Sequence, residues 1–175
     1  MVRPLPWVFP YVTEVNAEDH PLGRTVLRPL VEVRVVGPGG PSNRHAALVD
    51  SGSDYTLAAP IVALEAAIDI AAGRSTTVRV GGASREISVV ETSMRLCDPS
   101  FVGVEGGCEE DNSLSWKAEV GFFSRWDDPP FNVILGQVGF FDHFSVSLSR
   151  HSQLAVVDEI DHLEPYADHE TPPDG

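Results

Sequence analysis

Only two cysteines occur in 175 residues, Cys97 and Cys108, in a Gly-rich acidic segment. That excludes a disulfide-built scaffold: the two can pair in an oxidising compartment, and two free or buried thiols are expected in a reducing one. Basic residues are scarce as well, with 12 Lys and Arg against 26 Asp and Glu and a net charge of −14. Nucleic acid is excluded as a partner, because its phosphates would be repelled and no basic patch offsets the acids. No apolar run approaches membrane-spanning length, so no membrane partner is expected. Three prolines interrupt Met1–Pro10 before the apolar centre of a signal peptide can form, which makes the cytoplasm the expected location. The six histidines form no cluster with ligand-like spacing, so neither a metal nor another cofactor is expected.

What is present concentrates in Ala47-Leu48-Val49-Asp50-Ser51-Gly52-Ser53-Asp54-Tyr55-Thr56, an apolar strand running into Asp-Ser-Gly. Such a turn presents a carboxylate at a strand end. Asp50 is suited to activating water, Gly52 to letting the backbone approach a partner loop, and the hydroxyls of Ser51 and Ser53 to steadying the carboxylate. The same three residue types also make ordinary turns. A second signal is Phe131-Asn132-Val133-Ile134-Leu135-Gly136-Gln137-Val138-Gly139-Phe140-Phe141-Asp142-His143-Phe144, an apolar strand ending at a glycine and followed by an expected short aromatic-rich helix. Between them, Val78, Val80, Ile87 and Val89 alternate around Gly81-Gly82, the pattern of a β-hairpin.

Together the Asp-Ser-Gly loop and the Ile-Leu-Gly strand resemble the retropepsin-like aspartic peptidases over residues 28 to 157. The resemblance implies a small closed β-barrel with one or two short helices, a loop at Asp50–Asp54 lying against a supporting strand at Leu135 and Gly136, and a flap whose tip is Gly81 and Gly82. It implies peptide or protein substrates. It also implies that Asp54 contacts either the substrate backbone or an arginine after the later glycine, a position held here by Gln137; Arg44, Arg125 and a substrate amide stay open as partners of Asp54. Retroviral members usually carry Ala after the Asp-Ser/Thr-Gly glycine and pepsin-like members Ser or Thr, so Ser53 is a pepsin-like feature. A hydrogen bond from its hydroxyl to Asp50 is expected to lower the pKa of the catalytic pair.

Stoichiometry then requires a partner. An aspartic peptidase uses two carboxylates sharing one proton, and this chain holds one Asp-Ser-Gly in a length too short for two lobes. A homodimer is expected, with an isologous interface placing both Asp50 side chains on the two-fold axis. The strands Ser145–Leu148 and Leu154–Val157 are the expected interface edges. His45 lies on the same strand as Asp50, but no nucleophile elbow exists for a Ser-His-Asp site, and a structural histidine is expected.

The remaining strands are expected at Leu30–Val36, His45–Val49, Ser93–Leu96, Trp116–Phe123 and Asn132–Leu135, and a helix from Pro60 to Gly73 with Ile61, Leu64 and Ile68 along its packed face. Trp116 and Trp126 suit core or cover better than substrate subsites. Residues 1–27, with four prolines, read as an irregular arm. Residues 158–175 hold seven acids and no Lys or Arg and read as a solvated disordered tail, better suited to solubility than to docking. The function expected is that of an aspartic endopeptidase. Its rivals are a catalytically silent retropepsin-like module for dimerisation or peptide binding, and an unrelated β-barrel binding protein.

Overall fold

Alternation of apolar and polar residues organises the strands of the computed structural model, which describes residues 6–13, 26–80, 82–101, 108–126 and 131–159. In chain order the strands are β1 (Trp7–Pro10), β2 (Val12–Thr13), β3 (Leu27–Arg28), β4 (Leu30–Gly37), β5 (Gly40–Pro41), β6 (His45–Val49) and β7 (Thr56–Ala58). After helix α1 (Pro60–Glu65) come β8 (Arg74–Val80), β9 (Ala83–Cys97), β10 (Ser113–Phe123), β11 (Val133–Leu135), β12 (Phe144–Ser149) and β13 (Leu154–Glu159). Along β4 the period is plain: Val31, Val33 and Val35 are buried and the residues between them are half-covered.

Six strands close into a barrel in the order β4, β6, β11, β7, β10, β9, with β9 returning to pair with β4. The fold is thus mainly β, a small closed barrel with one short α-helix among the described residues, as expected. Its interior is filled by Val33, Val35, Met94, Leu96, Val120, Phe122, Val133, Leu135 and Phe140, all buried. Each such side chain contributes about 1.5–3 kcal/mol by leaving water. Strand β9 is long enough to serve twice. Its Ser93–Leu96 end pairs with β4, and its Ala83–Val89 end pairs with β8 in a hairpin that projects beyond the barrel.

That hairpin has the expected register, with Val80 opposite Ala83 across a two-residue turn and Gly82 at φ +82°. Positive φ is where glycine is favoured. Gly81 lies outside the described residues.

Several expectations are corrected. The helix from Pro60 ends at Glu65, because Ala67 takes a left-handed φ of 53°; a separate 3₁₀ turn at Ile70–Ala72 precedes Gly73. Its packed face is also different: Val62 and Ala63 are buried, whereas Ile61 and Leu64 are exposed, Leu64 at 74%. A six-residue helix is less than two turns long, so its burial is set by the chain's entry and exit rather than by a full apolar stripe. The second helix, expected after Gly136, is a series of turns. Gly139 at φ +94° interrupts it, and single bonds from Phe141 N–H to Gly136 O and from Phe144 N–H to Phe140 O replace a helical ladder. Phe140 and Phe144 are nonetheless buried, and Phe141 packs half-buried against the same core.

The N-terminal arm is not wholly irregular, since Trp7–Pro10 pairs with β13 in a three-stranded sheet ordered β1, β13, β12. Its partner lies at the far end of the chain, and four residues ending in proline show no period. Consequently Leu154–Val157 is not an open edge: β13 is paired on both sides, and among the described residues the outer edges of this sheet are those of β1 and β12. Strand β13 also runs to Glu159, two residues into the expected tail, whose remainder from 160 onward lies outside the described residues. Cys97 and Cys108 are both fully buried and joined as a disulfide, correcting the expectation of free thiols.

Candidate active site

Strand β11 is inserted between β6 and β7, parallel to the first and antiparallel to the second. The loop joining β6 to β7, which carries Asp50-Ser51-Gly52-Ser53-Asp54, must therefore cross the end of β11. Backbone bonds fasten the two: Asp50 N–H donates to Leu135 O at 3.0 Å, Gln137 N–H to Ser53 O at 2.9 Å, and Val138 N–H to Asp54 O at 3.0 Å. Gly136 sits at the crossing. A Cβ there would stand 2.2 Å from the carbonyl oxygen of Tyr55 and 2.7 Å from that of Ser53, so no side chain fits. Its N–H donates to the buried hydroxyl of Thr56 at 3.2 Å. The structure thus brings Leu135 and Gly136 against the Asp50 loop.

Asp50 itself is half-buried at the head of this crossing, beside the exposed Ser51 and Gly52. One carboxylate oxygen, Oδ1, accepts the Gly52 N–H at 2.9 Å, which closes the turn and fixes the side chain's direction. Ser53 behaves differently from expectation: its hydroxyl donates to the Tyr55 carbonyl at 2.8 Å and so braces the loop rather than the carboxylate. Ser51 contributes its carbonyl, which accepts from Gln137 Nε2 at 2.8 Å. That bond gives Gln137 the role of tying strand to loop through a neutral donor. Asp54 is exposed, and Arg44 pairs instead with Glu32 at 3.2 Å. Gly52, expected to admit a partner loop, meets only Asp50 Oδ1 within 4 Å of a Cβ position, so the close-approach glycine at this crossing is Gly136.

The other end of β6 carries a second polar site. His45, buried, meets Glu65 Oε2 through Nε2 at 2.9 Å and Asn132 Nδ2 through Nδ1 at 3.1 Å. With the Asn132 amide as donor, Nδ1 accepts and the ring proton lies on Nε2, aimed at Glu65. Asn43 completes the set by donating its backbone N–H to Oε2 at 3.0 Å and its side-chain amide to Oε1 at 2.8 Å. Burial works to raise the Glu65 pKa, but the hydrogen bonds from Asn43 and His45 together hold it below its ordinary value. Both imidazole nitrogens are engaged, so His45 is a structural residue, as expected.

Aromatic residues divide the same way. Trp116 is core: it packs edge-on to Phe144 at 5.0 Å and donates its indole N–H to Gly139 O at 2.7 Å. Trp126, half-buried, packs on Phe123 and donates to Phe131 O at 3.1 Å. It lines a cavity of about 220 Å³ together with Val80, Arg85, Phe123, Arg125, Phe131 and Ile134. Ile134 immediately precedes Leu135, whose carbonyl holds Asp50. On this side of the sheet Leu57, Ile87, Val89, Phe123 and Ile134 form a second apolar cluster, separate from the barrel interior. The alternation Val133-in, Ile134-out, Leu135-in along β11 is the signal by which that cluster could have been read from the sequence.

Among the described residues no group of His, Cys, Asp and Glu could hold a metal ion, and no helix is long and apolar enough to cross a membrane. No protein-family model matches the chain, and no curated protein matches it.

Proposed function

We propose that this chain is a homodimeric retropepsin-like aspartic endopeptidase, in which two Asp50 carboxylates, one from each subunit, hold and activate the attacking water. The observation that carries the reading is the crossing of the Asp50 loop and β11, which needs a glycine at 136 and leaves the carboxylate half-exposed on a turn tied at both ends. One carboxylate takes a proton from water as general base, while the other, protonated, donates to the scissile carbonyl; two like charges in such close approach share one proton. The β8–β9 hairpin covers the cleft and keeps bulk water from the intermediate. No covalent intermediate is needed.

Dimerisation is supported by β12. Its outer edge is unpaired among the described residues, and Ser145-Val146-Ser147-Leu148-Ser149 contains neither charge nor proline, the usual protections of an exposed edge. Antiparallel pairing of β12 with its copy would satisfy those backbone groups about a two-fold axis.

Cytoplasmic residence belongs to the same proposal, with one observation against it: disulfides persist mainly in oxidising compartments, and Cys97 and Cys108 are joined. Alkylation of the protein in freshly lysed cells without reductant decides the point, two labelled thiols supporting the cytoplasm and none supporting an oxidising setting. The activity is tested by incubating the purified protein and its Asp50→Asn variant with an unfolded protein substrate. Fragments from the first and none from the second support the reading; fragments from both, or from neither across pH 3 to 8, overturn it.

A further inference from the structure

The barrel closes along a short seam, where β4 meets β9 over Val33–Val36 and Ser93–Leu96 only, whereas β9 pairs with β10 along the whole of Ser113–Phe123. In that seam two arginines stand directly opposite each other, Arg34 on β4 and Arg95 on β9. Like charges facing across antiparallel strands destabilise the pairing, and these side chains are only 19% and 17% exposed, so solvent screens them poorly. Arg34 Nε is sealed from solvent without a hydrogen-bond partner among the described residues. Glu32, on the same face of β4, is held by Arg44 at 3.2 Å, and Ser115, opposite Arg95 on β10, carries no charge. Neutralisation comes instead from Glu109, 3.8 Å from Arg34, and Glu110, 3.7 Å from Arg95. Both acids directly follow Cys108, whose disulfide ties them to Cys97 at the end of β9. Their side chains are exposed, so their place over the arginines is set by the backbone and that tie rather than by packing.

We propose that the Cys97–Cys108 disulfide is an oxidation-set latch on the barrel: it holds Glu109 and Glu110 against Arg34 and Arg95, and the dithiol form of the chain has a loosened β4–β9 seam. The latch closes by thiol–disulfide exchange. The two thiols lose two protons and two electrons to a small disulfide such as oxidised glutathione, which is cleaved to two thiols as the Cys97–Cys108 bond forms. Both sulfurs are then fully buried, which keeps reductants away, so oxidation is a maturation step set once rather than a toggle. The inference stands whether or not the chain cleaves peptides.

The test compares the oxidised full-length protein with protein refolded from urea in tris(2-carboxyethyl)phosphine, its thiols confirmed by titration, at one protein concentration in low salt and in about 0.5 M NaCl. Reduction should lower the Tm by roughly 8 °C in low salt. That gap should shrink by roughly a third in high salt, because salt weakens the Glu–Arg pairs of the oxidised form and the Arg–Arg repulsion of the reduced one. A gap from chain entropy alone does not respond to salt. The Arg34→Gln/Arg95→Gln variant should keep a gap but lose its salt response. In Glu109→Gln/Glu110→Gln, with the disulfide intact, amide exchange over Val33–Val36 and Ser93–Leu96 should quicken about fivefold in low salt while Val133–Leu135 holds its rate. This second variant decides the matter if the reduced protein does not refold. A gap that ignores salt, a salt response that survives loss of both arginines, or seam exchange at the parental rate without the two carboxylates would overturn the inference.

Discussion

The two ends of β6 carry polar sites with opposite fates. At the start, His45 is buried, both its ring nitrogens are bonded to Glu65 and Asn132, and both oxygens of Glu65 accept from Asn43. At the finish, five residues after His45, Asp50 is half-exposed, and among the described residues the one hydrogen bond its carboxylate accepts is from the Gly52 N–H. A saturated network rigidifies a fold, and an unsaturated carboxylate on a rigid turn is free to hold water or substrate. A histidine beside a glutamate can serve either chemistry or structure. Their geometry assigns them to structure.

The sharpest separation of the two sites should come from Asp50→Asn. Cleavage should fall by at least about a thousandfold, the range of a lost general acid–base, while stability in urea stays within about 0.5 kcal/mol of the parent. Loss of stability on that scale or more would make Asp50 a second structural site and erase the contrast. Gly136→Ala should do what Asp50→Asn does not. A Cβ 2.2 Å from the Tyr55 carbonyl forces loop and strand apart, so urea unfolding should show a loss of about 3 kcal/mol, and cleavage should fall with it. An unperturbed Gly136→Ala protein would show that the crossing is looser than described.

At the other end, Glu65→Gln should cost about 1–2 kcal/mol by weakening the bonds to Asn43 and His45, with cleavage at fixed folded fraction unchanged. Its pH dependence has a definite sign. The folded-state pKa of Glu65 is lowered, so the ionised carboxylate contributes stability at pH values above its ordinary 4.5, and that contribution is lost as pH falls from there through the folded value. Urea midpoints taken on both proteins down through that window should converge; parallel curves would show that Glu65 is not held ionised by its neighbours. Ser53→Ala should have the smallest effect, about 0.5–1 kcal/mol of stability from the lost bond to Tyr55 O, with the acidic limb of the pH–rate profile in place. An upward move of that limb would mean the hydroxyl turns to Asp50 once the dimer forms.

Legibility in the sequence followed the same divide. The Asp50 loop and the strand to Gly136 could be read because their crossing leaves no room for a side chain, a demand that one residue type alone meets. The hairpin was legible because Gly81-Gly82 and the flanking valines satisfy a local turn. What failed was either marginal or remote. In α1, Ile61 and Leu64 mimic an apolar stripe, but a helix ending at Glu65 is too short for periodicity to decide its face. Trp7–Pro10 becomes a strand only through pairing with Leu154–Val157, which nothing local announces. The Glu65–His45–Asn132 network joins three separated segments, and its members are ordinary surface residue types when read singly.

The claim that one site is assembled from two chains is tested most directly by mixing subunits. Wild-type protein is incubated with increasing Asp50→Asn protein at fixed wild-type concentration, long enough for exchange, and cleavage of a single peptide is followed. Because a mixed dimer holds one Asp50 where the shared proton needs two, activity per wild-type chain should fall steadily as the variant is added. Activity that stays constant per wild-type chain would contradict the account, since each chain would then carry a complete site of its own.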